Sequence, residues 1–344
     1  MGSIQKLAKG LAVAKIDNDM IRWGKLLFER RLISGWGGNL SCRVGKNDFL
    51  ITGQHAPLGF LTAKDLVRIR ADGKPVKKSQ RASSETPMHL AVYVGTDAQA
   101  IVHVHPPMVL AFSLSHDSFA PLSYEEKYTI GKVPVIPQDT PTVTKPEAVV
   151  DALKYNPIAI IKGHGTVAIG KTFQEAFLYT DLLEEAVLCQ FYQSGIAGPR
   201  KLGDARSAEP VAASPAAGKA YELFSQAHMA ALVDSANGDG DFRQSGSATS
   251  LTTSLTLHME DTDAAWTVQF VGGEITALTG NSDGDFLISG QGEWWRAVFS
   301  NKIDAFLATQ QGKLKLKRGE LAQLSRWYKP FQRAFALWQT IPIH

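Results

Sequence analysis

At 344 residues the chain is long enough for two domains, and its balance of 44% hydrophobic to 20% charged residues excludes a disordered or fibrous protein. Lysine plus arginine (36) exceed aspartate plus glutamate (33) by three, too small and scattered an excess to predict nucleic-acid binding. Two cysteines, Cys42 and Cys189, exclude a disulfide framework and fit a reducing compartment. The start "MGSIQKLAKG" lacks both a signal-peptide apolar region and the hydroxyl residue that myristoylation needs. No apolar run approaches the about 18 residues of a membrane span. The expectation is a cytoplasmic protein with no membrane span.

In chain order, "DNDMIRWGKLLFERRLIS" has helical spacing, with Met20, Trp23 and Leu27 on one face. "DFLITG" reads as a short strand. "AQAIVHVH" and "PIAIIKGHGTVAIG" are apolar and β-branched, as buried strands are. "TFQEAFLYTDLLEEAVLCQFY" opens on a capping-box pattern, Thr172 then Glu175, and keeps Phe173, Ala176, Leu183 and Val187 on one helical face. Together these predict a sheet layered with helices. From 199 to 217 the chain is rich in Ala, Pro, Gly and Ser without apolar period, an interdomain linker between domains at 1–198 and 218–344.

Side chains two apart on a strand point the same way, so His103 and His105 in "AIVHVHPP" share a face, about 7 Å apart along the chain. Two imidazoles in an apolar run need two sets of partners. His164 follows another apolar strand between Gly163 and Gly165, which allow a tight turn and a close approach. Three histidines with an open fourth position can hold a catalytic metal; spacing alone leaves core histidines bonded to carbonyls equally open. In "RASSETPMHLAVYVG", Thr86 can cap a helix with Pro87 in its first turn. Glu85 then sits at the positive end of that helix, held ionised, where it can carry a proton for a metal-bound substrate. Ser83 and Ser84 beside it can cradle an anion. His89, four residues after Glu85, reads as structural.

"GWGGNLSCRV", "DFLITG", "SSETPMHLAVY", "IVHVHPP" and "IIKGHGTVAIG" occur in the order and spacing of the class II aldolase/adducin family. The resemblance covers about residues 15 to 195 of the chain. The family includes fuculose phosphate aldolase together with sugar-phosphate epimerases, decarboxylases and dehydratases. The resemblance implies an α/β fold: a three-layer α/β/α domain with a mostly antiparallel sheet. It implies that His103, His105 and His164 bind Zn2+, or alternatively Mn2+ or Fe2+, and that Glu85 is the catalytic acid/base. Asn39, Thr52, Gly53, Ser83 and Ser84 match positions that hold the substrate phosphate. Tyr124, in "PLSYEEKYTIG", falls where some family aldolases place a tyrosine that reaches a neighbouring subunit, and a homo-oligomer such as a tetramer is implied.

The second half reads as successive strands through "SLTTSLTLHMED", "AAWTVQFVGGEITALTG" and "GDFLISG". A helix near Trp294–Phe299, another helix, the "GKLKLKRG" strand and a closing amphipathic helix in "ELAQLSRWYKPFQRAFALWQTI" follow. This order resembles the sterol carrier protein 2 family and implies a smaller α+β domain around an apolar tunnel. Trp266, Phe270, Trp294, Trp295, Phe299, Trp327 and Trp338 are candidates to line it or to form ordinary core.

The resulting expectation is a metal-dependent lyase that cleaves a C–C bond of a small hydroxy-carbonyl substrate, phosphorylated or hydrophobic, through a metal-stabilised enediolate. The alternatives are a decarboxylase, epimerase or dehydratase acting on a sugar phosphate, and a non-catalytic adducin-like scaffold or lipid-binding module.

Overall fold

The computed structural model describes residues 2–140, 142–143, 145–196 and 220–344, so the expected linker at 199–217 lies outside the described residues. The chain divides into two compact units, Met1–Ala205 and Arg206–His344.

The first unit runs α1 (Gly2–Glu29), β1 (Asn39–Arg43), β2 (Asp48–Thr52), β3 (Leu66–Arg70), α2 (Thr86–Gly95), β4 (Ala100–Val104) and α3 (Pro107–Ser113). It continues with β5 (Ser118–Phe119), α4 (Tyr124–Thr129), β6 (Val133–Ile136), α5 (Pro146–Tyr155), β7 (Ile158–Ile161), β8 (Gly165–Gly170) and α6 (Phe173–Ile196). Its eight strands form one sheet in the order β3-β2-β1-β4-β8-β7-β6-β5. The β6–β7 pair is parallel and the other pairs are antiparallel, as expected.

Strand alternation divides the core. Leu40, Cys42, Val102, Val104, Ile160 and Ala168 pack with Met20, Trp23 and Leu27 of α1 and Phe173, Ala176 and Leu183 of α6. Ile101, Ala159, Ile161, Val167 and Ile169 pack on the opposite face with Met88 and Val92 of α2 and Val149 and Leu153 of α5. The result is the expected helix–sheet–helix sandwich. His103 shares the parity of Ile101, so it faces the α2–α5 side.

Three local readings change. "PIAIIKGHGTVAIG" is not one strand but two, β7 and β8, paired antiparallel around the turn that carries His164. Glu85, not Thr86, holds the cap position of α2, and the Thr86 hydroxyl donates to Ser83 O at 2.6 Å. At α6, Thr172 Oγ1 accepts Glu175 N–H as expected, but the Glu175 carboxylate reaches back to Lys171 N–H rather than to the cap residue.

The second unit runs α7 (Gln226–Gly238), α8 (Gly240–Ala248), β9 (Thr253–Met259), β10 (Ala264–Val271), β11 (Glu274–Thr279) and β12 (Phe286–Gly290). It then runs α9 (Gly292–Phe299), α10 (Ala305–Gln310), β13 (Leu314–Arg318), α11 (Leu321–Leu324) and α12 (Tyr328–Trp338). The sheet order is β11-β10-β9-β12-β13, an antiparallel meander to which β12 adds parallel to β9. The closing helix is broken into α11, a short 3-10 turn and α12. Pro330 explains the break: it has no N–H for the carbonyl four residues back, and its ring collides with that carbonyl. It is tolerated in the first turn of α12, where no such bond is due.

The candidate tunnel aromatics are tightly engaged. Trp295, Phe299, Trp338 and Phe270 are fully buried. The indole N–H groups of Trp266, Trp295, Trp327 and Trp338 donate to backbone carbonyls of Phe224, His258, Thr249 and Leu232. No helix among the described residues is long and apolar enough to cross a membrane.

Candidate metal centre and proton carrier

β4 delivers His103 and, one step past its end, His105; the β7–β8 turn delivers His164. Gly163 holds φ +67°, a conformation in which a Cβ is strained. A Cβ on Gly165 would lie 2.3 Å from Val104 O and 2.6 Å from the His105 ring, so only glycine lets this turn close on β4. One ligand atom from each of the three imidazoles falls within 4.8 Å of the others. Among the described residues this is the only group of three or more His, Cys, Asp or Glu side chains so placed.

Whether these rings fit a cation is decided by their lone pairs. His103 Nδ1–H donates to Thr166 O at 2.9 Å, which leaves Nε2 unprotonated. That nitrogen faces His105 Nε2 at 3.4 Å. Tetrahedral zinc with imidazole ligands sets neighbouring nitrogens about 3.3 Å apart, so this edge of the site is already at coordination spacing. Burial, reinforced by the other two rings, pushes His103 well below the ordinary histidine range. Burial and His164 push His105 down to about 4, and burial lowers His164 as well. Three neutral rings with nitrogens this close can each offer a lone pair to a cation lying between them. The donor set therefore fits a divalent metal.

Glu85 is 5% exposed. Burial pushes its carboxyl above the ordinary carboxylate range, while Val143 N–H, 3.2–3.3 Å from both oxygens, pulls it back. The expectation put the helix terminus first; burial is the larger effect, and the α2 cap makes no side-chain hydrogen bond. The loop after β6 ties this carboxylate to the triad from behind. Its Val143 holds Glu85, and its Gln138 side-chain amide meets His164 Nδ1 at 2.9 Å.

The phosphate-type positions lie along one seam. Asn39 is the cross-strand partner of His103. Thr52 Oγ1 accepts Leu40 N–H at 3.2 Å, and Thr52 O accepts Ser83 N–H at 3.1 Å. Gly53 bridges to Ala82, with its N–H on Asp65 O. Ser83 is buried and Ser84 exposed. Tyr124 stands apart in the first turn of α4, 57% exposed, with the Lys127 ammonium over its ring.

Three contributors escaped the sequence reading: Gln138, Val143 and Glu184. The Glu184 carboxylate accepts the N–H groups of Met108 and Val109 at 3.0 Å each, closing the start of α3 just beyond His105. The proline pair "PP" was the available signal. Pro106 and Pro107 have no N–H, so the helix's first orphan donors fall on the next two residues.

Against known proteins, L-fuculose phosphate aldolase of Methanococcus maripaludis is 29% identical over 180 residues, covering 52% of this chain and 97% of its own. Methylthioribulose-1-phosphate dehydratase of Pseudoalteromonas translucida is 26% identical over 196 residues, covering 53% and 92%. The crystal structure of L-fuculose-1-phosphate aldolase from Thermus thermophilus is 31% identical, covering 55% and 100%, with a TM-score of 0.50. A crystal structure of sterol carrier protein 2, 22% identical, covers 35% of this chain and 99% of its own with a TM-score of 0.33. The profile of the Class II Aldolase and Adducin N-terminal domain matches residues 18–191, half of the chain, and it contains every residue of the site just described; the chain belongs to that family.

Proposed function

We propose that the chain is a divalent-metal-dependent lyase of aldolase type, acting on a small hydroxy-carbonyl compound that carries a phosphate. The observation that carries this reading is the convergence of three neutral imidazoles, backed by the same loop that holds the buried carboxyl of Glu85. His103, His105 and His164 would hold the metal, zinc being the first choice and manganese or iron the alternatives. When bound, the ion supplies Lewis-acid stabilisation of negative charge on a substrate carbonyl or hydroxyl oxygen.

The rest is the work of the chain's own side chains. A carboxyl raised toward neutral pH is a better proton carrier than an ordinary one, and Glu85 moves the proton to or from the carbon beside the carbonyl. Asn39, Thr52, Gly53, Ser83 and Ser84 hold the phosphate beside the triad. Tyr124, exposed at the start of α4, serves the site of a neighbouring copy in a homo-oligomer. The dehydratase relative supports a second outcome from the same proton transfer: loss of water instead of C–C cleavage.

For the second unit we infer a module of sterol-carrier type, on the order of its elements. The full burial of Trp295, Phe299 and Trp338 favours a core role for these three.

The test is metal-loaded full-length protein incubated with phosphorylated hydroxy-aldehydes and ketones, with products identified by NMR. Two fragments mean aldol cleavage, a dehydrated product means the second outcome, and no turnover on any phosphorylated or unphosphorylated candidate refutes the enzyme reading.

A further inference from the structure

Four buried polar side chains lie beside the triad without belonging to it: Asn39, Ser41, His89 and Tyr93, exposed by 6%, 1%, 0% and 3%. Asn39 and Ser41 stand on the α2-facing side of β1, His89 and Tyr93 on α2. They form one chain of hydrogen bonds. Tyr93 OH lies 2.8 Å from Ser41 Oγ, Ser41 Oγ lies 2.6 Å from His89 Nδ1, and His89 Nε2 meets Asn39 Oδ1.

Hydroxyls, an imidazole and an amide can each serve as donor or acceptor, yet this chain can run in one direction only. A buried phenol must give its proton to an acceptor. Among the described residues the hydrogen-bond partner of the Tyr93 hydroxyl is Ser41 Oγ, so Tyr93 donates to Ser41. Ser41 then gives its own proton to His89 Nδ1. A neutral imidazole that accepts at Nδ1 carries its hydrogen on Nε2. That N–H donates to Asn39, and only the amide oxygen can accept it. Run the other way, the chain would leave the Tyr93 O–H buried without an acceptor. Burial also keeps His89 neutral, pushing its ring down to about 3.

The consequence falls on Asn39. Its oxygen is consumed by His89, and the atom left for a ligand is the amide nitrogen with two hydrogens. Its neighbours on the seam match this. Thr52 Oγ1 accepts Leu40 N–H and Ser83 Oγ accepts Glu85 N–H at 3.2 Å, so each keeps its own O–H to give. We propose that Tyr93, Ser41 and His89 act as a positioning relay that locks the Asn39 amide with its N–H2 group toward the substrate, making this seam a donor-rich site that favours anions. The proposal rests on the reading above that a phosphate occupies the seam.

Two measurements on metal-loaded full-length protein test it and keep the two readings apart. The first is the 15N chemical shifts of the imidazoles, with His89 assigned from the His89→Gln spectrum. The expected result is a neutral His89 with hydrogen on Nε2 throughout pH 5–8, and mixed tautomers in Tyr93→Phe; hydrogen on Nδ1 in the unaltered protein overturns the relay. The second is the affinity for inorganic phosphate by calorimetry. Tyr93→Phe and Ser41→Ala should each weaken it by about three- to tenfold, the usual weight of one net hydrogen bond. Asn39→Asp, which replaces the donor by a negative acceptor, should weaken it further. His89→Gln, whose amide can accept from Ser41 and donate to Asn39, should bind within about twofold of the unaltered protein, and metal content should stay constant in all four. Tyr93→Phe binding phosphate as the unaltered protein does, while Asn39→Asp does not, overturns the relay. No phosphate binding by any form overturns the phosphate reading, and the tautomer then decides the relay by itself.

Discussion

The two units bury histidine in opposite ways. In the first, His103, His105 and His164 turn their nitrogens toward one another, and His89 has both nitrogens matched to polar partners. In the second, His228 is as inaccessible as His89, but its Nδ1 accepts only Phe224 N–H at 3.3 Å and its Nε2 has no hydrogen-bond partner. Its ring meets Phe299 edge to face, with centroids 5.2 Å apart. Burial depresses the basicity of all these rings, so a low pKa does not distinguish a site from core. What distinguishes them is where the nitrogens point: three that converge can share a cation, whereas His228 turns its Nε2–H among aromatic rings with no oxygen or nitrogen to accept it.

The comparison breaks most visibly at the triad. His103→Ala removes the ring that is anchored to Thr166 O and faces His105. Metal bound after purification, measured by elemental analysis, should fall from one ion per chain to a trace, since losing a ligand costs more than the about 10- to 100-fold of losing an outer partner. Turnover should be lost with it. His228→Ala should leave metal content unchanged; a fall there would place the metal in the wrong unit.

Glu85→Gln should be the next largest effect. It keeps the shape and the metal but removes the proton carrier, and turnover should fall by roughly two to four powers of ten. The pH dependence has a definite sign. Burial raises this carboxyl, and the ionised form is needed to accept a proton, so kcat/KM should fall on acidification through a pKa above the about 4.3 of an ordinary glutamate. A near-normal rate in Glu85→Gln removes the carboxylate from the chemistry.

The difference between the units also marks what a sequence can disclose. His103 and His105 were legible because strand periodicity puts i and i+2 on one face, and His164 because two glycines flank it. Glu85 was legible from its place at a helix start. The supports were not. Val143 meets Glu85 across 58 positions, Gln138 meets His164 across 26 and Glu184 meets Met108 across 76; no local pattern encodes such pairings. His89 was recognised as structural, but its polarity depends on Ser41, 48 positions away. The break before α12 differs, because its signal, Pro330, is local, while the amphipathic pattern runs on across the break.

His228 sharpens the contrast through stability. Its folded-state pKa, about 4, lies below the about 6.5 of an unfolded histidine. Below pH 6.5 the unfolded chain takes up a proton that the folded unit refuses. Stability is therefore complete above that pH and is lost on acidification down to about pH 4, by at most on the order of 3 kcal/mol. Five of the seven tryptophans lie in residues 220–344, so denaturant titrations followed by tryptophan fluorescence report mainly on this unit. His228→Phe should flatten the pH slope between 6.5 and 4. An unchanged slope would assign the acid sensitivity to other groups.

The smallest expected effect belongs to Glu184, the support farthest in sequence from what it supports. Burial pushes this carboxyl up and the two backbone N–H groups of α3 pull it down. It meets the only early donors the helix has, because Pro106 and Pro107 supply none. Glu184→Ala therefore leaves the second and third helical N–H groups without an acceptor. The first turn of α3 loosens, and His105 sits immediately before that turn. Loss of a helix cap costs typically about 1 kcal/mol, and loss of an outer support weakens metal binding by about tenfold or more. Competition against a chelator of known affinity measures the second quantity, thermal unfolding the first. Glu184→Gln, which can accept one N–H but opposes the other with its amide nitrogen, should fall between the alanine variant and the unaltered protein on both. If metal affinity holds while the melting temperature drops, Glu184 secures the helix alone, and the placement of His105 is the business of β4 and of Gly165 packed on its ring.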